Sequence, residues 1–307
     1  MINQNFETLI KWKTILPKVS MNGVGHFSTR ANPVIAGQLV LVSSFSPGFV
    51  TALKKSNGDV VWQTKLDSYG NPLLVYKGVI YTHSARSIYA IELKTGKTLW
   101  KRTPYREVTE QIYSHPTVYK SRVFFGDRNG YLHCLDRQSG KTTWRTKISE
   151  KDVNSTADVV GDLVVVGTND GNVVAVDKKT GAVRWTTKIN SKCIMELVHL
   201  GESIFVSANN VLVIDATTGV IERKIKGLGE TTPIIVVDKK AFAVTRRNSV
   251  LMKNGTQSKA LSRLLVIRPR GPVKTKSLKD IYAFGVTVGA VSGSLLVCKI
   301  GGFAALD

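Results

Sequence analysis

The five histidines are the first residues to test for chemistry, because a neutral imidazole can act as a general base or as a metal ligand. They are spread along the whole chain, at His26, His83, His115, His133 and His199. No two of them have the H-x-x-x-H spacing that brings two ring nitrogens to one metal ion. Their spacing therefore predicts no metal centre.

The cysteines and the short glycine motifs also lack catalytic spacing. Cys134, Cys193 and Cys298 are scattered and form no C-x-x-C pair, so neither a metal site nor a disulfide framework is indicated. The glycine pairs at 23–25 and 227–229 lack the third glycine and the following helix of a phosphate-binding loop. We therefore expect the chain not to be an enzyme and to bind no cofactor.

The elements that position these residues belong to a repeat, shown most clearly by residues 173–185. There, a strand ends in Asp177, a turn closes on Gly181, and Trp185 lies in the next strand. Similar segments occur at 52–62, 90–100, 135–144 and 214–223, at steps of 38 to 44 residues. Four short strands in about 40 residues, separated by tight turns, are typical of one propeller blade.

We predict an all-β fold, a seven-bladed β-propeller of four-stranded antiparallel blades. The last motif stops at Asp307, whereas an extra tryptophan, Trp12, lies near the N-terminus. The N-terminal strand is therefore expected to complete the last blade and close the ring. The prediction is a single domain over residues 1–307, with blades at about 31–66, 70–104, 112–148, 155–190, 193–226, 230–270, and 281–307 plus 5–16.

The tryptophans are expected to be structural. A tryptophan offers a large apolar surface and one N–H donor, which suits a wedge between neighbouring blades. We predict this docking role for Trp12, Trp62, Trp100, Trp144 and Trp185.

The pattern Ala-x-Asp-x-x-Thr-Gly-x-x-x-Trp at 175–185 resembles the tryptophan-docking motif of the pyrroloquinoline-quinone (PQQ) enzyme-type repeat. This repeat defines the quinoprotein-like superfamily, which includes quinoprotein dehydrogenases and the propeller lipoprotein of the outer-membrane β-barrel assembly machine. The resemblance covers the first five blades well and the last two by topology. It implies a propeller without the cofactor site, because a chain resembling methanol dehydrogenase would need an eighth blade, adjacent cysteines and an acidic calcium site.

His115 is expected at the start of an innermost strand, near the mouth of a central channel. Asn32, Asn71 and Thr232 are predicted to occupy equivalent positions. Such polar groups can bind a small ligand, or they can cap strand ends that face water.

The formal net charge of +21 implies affinity for a polyanion. The stretch between Asp238 and Asp280 has no acidic residue, and the repeat motif degrades there. Few aromatic residues are interleaved, which favours contacts with an acidic protein or a phosphate backbone over base stacking. The predicted binding residues are Lys239, Lys240, Arg246, Arg247, Lys253, Lys259, Arg263, Arg268, Arg270, Lys274, Lys276 and Lys279.

From these features we predict a non-enzymatic interaction scaffold in a larger assembly, with a basic face on the sixth blade. Protein partners are expected, with nucleic acid as an additional partner and no small-molecule substrate. Neither a signal peptide nor an apolar run of membrane-spanning length is found, which predicts a cytoplasmic location. Three alternatives stay open: a small-ligand or PQQ-type cofactor-binding propeller, a quinoprotein-type oxidoreductase, and an envelope assembly factor resembling the barrel-assembly propeller.

Overall fold

The computed structural model describes residues 33–44, 48–103, 112, 114–189, 197–208, 210–225, 230–231, 234–237, 240–246, 263–267, 272–277, 287–291, 294–299 and 302–306. These residues form twenty-eight β-strands in seven sheets and contain no helix. Accordingly, the described ranges include no helix that could cross a membrane. The all-β prediction is confirmed.

Five sheets have four strands each, and the strands follow chain order across the sheet. The first comprises β1 (Val34–Ala36), β2 (Leu39–Ser44), β3 (Phe49–Lys54) and β4 (Val60–Lys65). The second comprises β5 (Leu74–Tyr76), β6 (Val79–His83), β7 (Ile88–Glu92) and β8 (Thr98–Arg102). The third comprises β9 (Thr117–Tyr119), β10 (Arg122–Gly126), β11 (Tyr131–Asp136) and β12 (Thr142–Lys147).

The fourth sheet comprises β13 (Asp158–Val160), β14 (Leu163–Gly167), β15 (Asn172–Asp177) and β16 (Val183–Lys188). The fifth comprises β17 (Leu197–Leu200), β18 (Ser203–Ser207), β19 (Val211–Asp215) and β20 (Ile221–Ile225). Neighbouring strands in both sheets run antiparallel.

The last two sheets depart from this pattern. The sixth has five strands, β21 (Glu230–Thr231), β22 (Ile235–Val237), β23 (Lys240–Arg246), β24 (Arg263–Ile267) and β25 (Lys274–Ser277), and both β21 and β22 pair with β23. The seventh has three, β26 (Thr287–Val291), β27 (Ser294–Lys299) and β28 (Gly302–Leu306). The segment 5–16, predicted to complete the seventh blade, lies outside the described residues, as does Trp12.

Sequence pattern and burial agree strand by strand. The second and third strands of a sheet, such as β14 and β15, are apolar runs buried on both faces. The fourth strand, such as β16, alternates between exposed and partly buried residues. Apolar clusters fill the space between successive sheets; one joins Val165 and Ala175 of the fourth sheet to Ile204 and Ile214 of the fifth. The apolar faces are therefore buried by neighbouring sheets.

One irregularity recurs at the outer strands. In the fourth sheet Ala175 pairs with Trp185 but Val176 pairs with Val183, so Arg184 is an extra residue on β16. The first and second sheets show the same shift, which makes Val61 and Leu99 the extra residues. Such a β-bulge leaves one residue unpaired and re-aims its neighbours. Here it places the tryptophan against the next sheet.

The backbone contacts divide the chain into two compact units. The first contains Met1–Asp127 and His133–Thr143, and the second contains Arg128–Leu132 and Trp144–Asp307. The division passes through β11 and β12. Each unit has its own apolar clusters. The single domain and the blade boundaries remain predictions.

Candidate functional site: the seam tryptophans and the outer edge strands

Four tryptophans, called here the seam tryptophans, contact the sheet that follows their own in the chain. Each indole Nε1 donates a hydrogen bond to a backbone carbonyl of that next sheet. The pairs are Trp62 to Leu93 (3.1 Å), Trp100 to Arg137 (2.9 Å), Trp144 to Lys178 (3.2 Å) and Trp185 to Ala216 (2.9 Å). The polar edge of each ring is thus satisfied while its apolar body is largely covered.

A glycine of the next sheet lies directly against each seam tryptophan. A Cβ on Gly181, whose φ is +77°, would lie 2.7 Å from Trp144 Cδ2. Gly96, Gly140 and Gly219 stand in the same relation to Trp62, Trp100 and Trp185. The glycine of the sequence motif therefore serves two purposes, a left-handed turn and room for the indole.

A threonine two residues after the tryptophan adds a second contact at three of these seams. Thr146 Oγ1 donates to the carbonyl oxygen of Gly181 at 2.8 Å, and Thr64 and Thr187 bond Gly96 and Gly219 in the same way. Arg102 takes this position after Trp100. This contact was not predicted from the sequence, although the recurring Trp-x-Thr spacing indicates it.

The aspartate of the motif closes the turn that carries the glycine. Asp177 Oδ1 accepts the N–H groups of Lys179 and Thr180, both at 2.9 Å, and its Oδ2 accepts from Arg184 at 2.8 Å. These bonds, led by the one from Arg184, hold the Asp177 pKa well below its usual range. The carboxylate therefore stabilises this turn through hydrogen bonds within its own sheet.

The described part of the predicted basic face lies on three strands of the sixth sheet. Lys240 and Arg246 are on β23, Arg263 is on β24, and Lys274 and Lys276 are on β25. Lys240 is partly buried and Lys274 is exposed. The other seven residues lie outside the described ranges: Lys239, Arg247, Lys253, Lys259, Arg268, Arg270 and Lys279.

Two of the histidines are held by carboxylates. His133 Nε2 lies 2.7 Å from Asp127 Oδ2, and both side chains are 1% exposed. His199 Nδ1 lies 2.8 Å from Asp158 Oδ2, which also accepts the backbone N–H of His199 at 2.7 Å. This contact with Asp158 raises the pKa of His199. Both pairs tie strands together within the protein.

The predicted alignment of His115 with Asn71 is off by one residue. Asn71 and Ser114 each lie three residues before the first strand of their sheets, so these two are equivalent and His115 matches Pro72. Asn71 Nδ2 donates to the carbonyl oxygen of His83 at 3.1 Å, which makes it a strand cap. Asn32 and Thr232 lie outside the described residues.

No set of three histidine, cysteine, aspartate or glutamate side chains is grouped for a metal ion anywhere in the described ranges. Cys134, the cysteine whose side chain is described, is a free thiol in the core. Burial raises its pKa, although Arg122 opposes the shift. A buried neutral thiol is a poor nucleophile, so Cys134 fits a packing role.

The outer edge strands β4 and β8 carry exposed apolar side chains. Val60 and Val61 on β4 are 50% and 44% exposed, and Leu99 on β8 is 48% exposed. Val61 and Leu99 are the bulge residues of their strands. Among the described residues both strands pair on one side only, so each keeps a free backbone edge. A free edge with apolar side chains is suited to pairing with another chain.

Comparison with known proteins identifies the class. The family model described as outer membrane protein assembly factor BamB matches residues 11–224 and, in a second alignment, residues 105–261. The sheets and seams are those of a β-propeller built from PQQ-like repeats. The chain belongs to the BamB family of these proteins.

Curated relatives share part of the repeat array. An outer membrane protein assembly factor BamB from Legionella pneumophila (strain Paris) is 28% identical over 119 residues, which is 39% of this chain and 30% of that protein. A BamB from Francisella salina is 30% identical over 137 residues, which is 44% of this chain and 25% of that protein. A 1-butanol dehydrogenase (quinone) from Thauera butanivorans is 37% identical over 90 residues, which is 27% of this chain and 14% of that protein. The aligned segments span less than a third of each relative.

Solved structures agree on the fold. BamB from Moraxella catarrhalis has a TM-score of 0.68 at 16% identity, covering 90% of this chain and 84% of that one. The computationally designed Ika8 protein has a TM-score of 0.67 at 17% identity, with coverage of 92% and 96%. A europium-containing methanol dehydrogenase has a TM-score of 0.66 at 14% identity, with coverage of 90% and 75%. These likenesses confirm the propeller fold.

The comparisons correct two predictions. The predicted cytoplasmic location is wrong, because the matched relatives are outer membrane assembly factors. The predicted main function, a scaffold whose basic sixth-blade face binds an acidic partner or nucleic acid, is wrong for the same reason. The error has a physical origin: net charge reflects exposed side chains, which constrain solubility and non-specific attraction but identify neither a fold nor a partner.

Proposed function

We propose that this chain is an assembly factor of the bacterial envelope that acts through protein–protein contacts and carries out no catalysis of its own. The observation that supports this most strongly is the BamB family match over residues 11–224. A role without catalysis is consistent with the titratable side chains described above, since His133, His199 and Asp177 form hydrogen bonds within the protein. Its partners would be other proteins of the outer membrane assembly pathway.

The outer edge strands β4 and β8 are the surface we assign to this contact. Their sheets meet at the Trp62 seam, so the free edges belong to one packed unit. Val61 and Leu99 are the extra residues of equivalent bulges, and both are exposed. Edge pairing gives affinity through backbone hydrogen bonds, and exposed side chains such as these give selectivity.

The occupant we assign is an extended β-strand of a partner protein with apolar side chains and flanking carboxylates. The exposed cations Lys65, Lys97 and Arg102 lie on or beside these edge strands. They would repel a second cationic edge and attract a strand that carries acidic residues. The same cations would limit edge-to-edge self-association of this strongly basic chain.

The test is recovery of the wild-type chain with the outer membrane assembly complex from envelopes of the organism that encodes it. The double variant Val61→Lys with Leu99→Lys should reduce this recovery at least about tenfold, because it places charge in the contact. Ile35→Lys is the matched control, since Ile35 is 65% exposed but lies on β1, at the other edge of its sheet.

Two results would contradict the proposal at different levels. Failure of the wild-type chain to associate with the complex would overturn the envelope assembly function. Unchanged recovery of a folded double variant would overturn only the assignment of the contact to β4 and β8.

A further inference from the structure

Two imidazoles from different sheets meet in the first unit. His83 ends β6 and His115 precedes β9, and their ring centroids are 5.7 Å apart with a 39° tilt. His83 is 2% exposed, whereas His115 is only partly buried. The pair is therefore buried on one side and approachable from the other.

One ring nitrogen of each histidine is buried without a hydrogen-bond partner among the described residues. His83 Nδ1 lies 2.9 Å from the carbonyl oxygen of Ser84, which assigns it the proton and leaves Nε2 as a bare acceptor. His115 Nδ1 is likewise buried and unpartnered. Leaving such a group unsatisfied costs about 1–3 kcal/mol.

The neighbouring hydroxyl groups have hydrogen-bond partners, whereas Arg86 Nε, like the two imidazole nitrogens, is buried without one among the described residues. Thr82 Oγ1 donates to backbone carbonyls of 71 and 72, and Ser87 Oγ donates to Asp67 Oδ2 at 2.6 Å. Ser114 Oγ accepts the backbone N–H of Gly126. The local fold therefore satisfies these hydroxyl groups and leaves the two imidazole nitrogens and Arg86 Nε without a described partner.

We infer that His83 and His115 form a binding site for a late first-row transition-metal ion of the kind that prefers imidazole ligands, copper or zinc. Zn–N bonds to histidine measure about 2.0–2.1 Å, so two imidazoles on one ion place their ring centroids about 5–6 Å apart. The observed 5.7 Å lies within this range. Water or a small ligand would fill the remaining coordination positions, through the exposed side of His115.

The protonation state suits a metal ligand. Burial lowers the pKa of His83 to about 3, with a smaller contribution from the neighbouring His115, and burial also lowers the pKa of His115. Both rings are therefore neutral at physiological pH, the form that binds a metal.

The experiment is calorimetric titration of the full chain with Cu²⁺, Zn²⁺ and Mg²⁺. One ion per chain should bind, Cu²⁺ more tightly than Zn²⁺, with no Mg²⁺ binding. His83→Gln and His115→Gln should each weaken Cu²⁺ binding at least about tenfold. His199→Gln is the matched control and should bind as wild type does, because His199 belongs to a different pair.

A spectroscopic measurement keeps the test valid if a variant folds poorly. The electron paramagnetic resonance spectrum of the wild-type chain with one equivalent of Cu²⁺ should show coupling to two imidazole nitrogens. The proposal is overturned by absence of stoichiometric binding, by folded His83 and His115 variants that bind as tightly as wild type, or by a wild-type spectrum without imidazole coupling.

Discussion

The indole of Trp144 lies so close over Gly181 that a methyl group on that glycine would come within 2.7 Å of ring atom Cδ2. The same sheet-to-sheet contact includes the hydrogen bond from Trp144 Nε1 to the carbonyl oxygen of Lys178. The tryptophan and the glycine therefore act as one unit, contributed by successive repeats. Stability of the array should depend on this contact.

Substituting Gly181→Ala should destabilise the protein in two ways. An alanine at φ +77° pays about 1–2 kcal/mol for the left-handed backbone, and the new methyl collides with Trp144. Overpacking of this kind typically adds about 1–3 kcal/mol. The free energy of unfolding in urea measures the sum.

Gly161→Ala is the control that separates the two costs. Gly161 has φ +56°, and a Cβ there would meet nothing within 4 Å. Only the backbone cost should appear, so this variant should remain clearly more stable than Gly181→Ala. Equal losses for the two variants would refute the packing part of the account.

Trp144→Ala should remove one seam entirely. The side chain is 9% exposed, so truncation opens a cavity and deletes the hydrogen bond to Lys178. A loss of about 3–5 kcal/mol is expected, seen as a lower Tm. Leu99→Ala, at a side chain 48% exposed, should change the Tm little; a Tm unaffected by Trp144→Ala would show that the seam is energetically unimportant.

Thr146→Val tests the second seam hydrogen bond at constant shape. The threonine hydroxyl donates to the carbonyl oxygen of Gly181 at 2.8 Å. Its loss should cost about 0.5–1.5 kcal/mol in chemical denaturation. The control is Thr186→Val, at an exposed threonine of the equivalent strand in the next sheet, and it should leave the free energy of unfolding nearly unchanged. An equal loss of stability in both variants would mean that the loss comes from strand propensity and not from the hydrogen bond.

The Asp158–His199 pair predicts a pH dependence of stability. Asp158 raises the pKa of His199 in the folded protein above its unfolded value. The folded state therefore binds the His199 proton more tightly than the unfolded state does. The resulting stabilisation of the fold is fully present below the pKa of His199 in the unfolded chain, and it is lost as pH rises through the raised pKa of the folded protein. His199→Asn should flatten the stability profile across this window, and a profile identical to wild type would contradict the pairing.

Much of the fold could be predicted from the sequence, because each conserved position of the repeat has a specific structural role. Asp177, Gly181 and Trp185 recur at fixed spacing, and turn closure, left-handed backbone and docking each require that residue type. The bulges at Val61 and Leu99 could not be predicted, because the pattern of apolar residues does not show that one is left unpaired. Such details depend on tertiary packing.

The functional prediction failed where it relied on charge. Lys239 and the other eleven basic residues between Asp238 and Asp280 form a clear pattern in the sequence. A run of residues of one charge sign does not, however, specify the shape of a binding site or the identity of a partner. The meeting of His83 with His115 was missed for the opposite reason. These residues are 32 positions apart in different sheets, and histidine spacing along the chain gives no sign of their proximity.

The central claim, that the chain serves outer membrane protein assembly, is tested most directly by deleting its gene in the organism that encodes it. The abundance of outer membrane β-barrel proteins would then be measured by quantitative proteomics of the envelope. The account predicts a reduction that the wild-type chain restores and that the Val61→Lys, Leu99→Lys variant does not. Unchanged abundance of these proteins after deletion would contradict it.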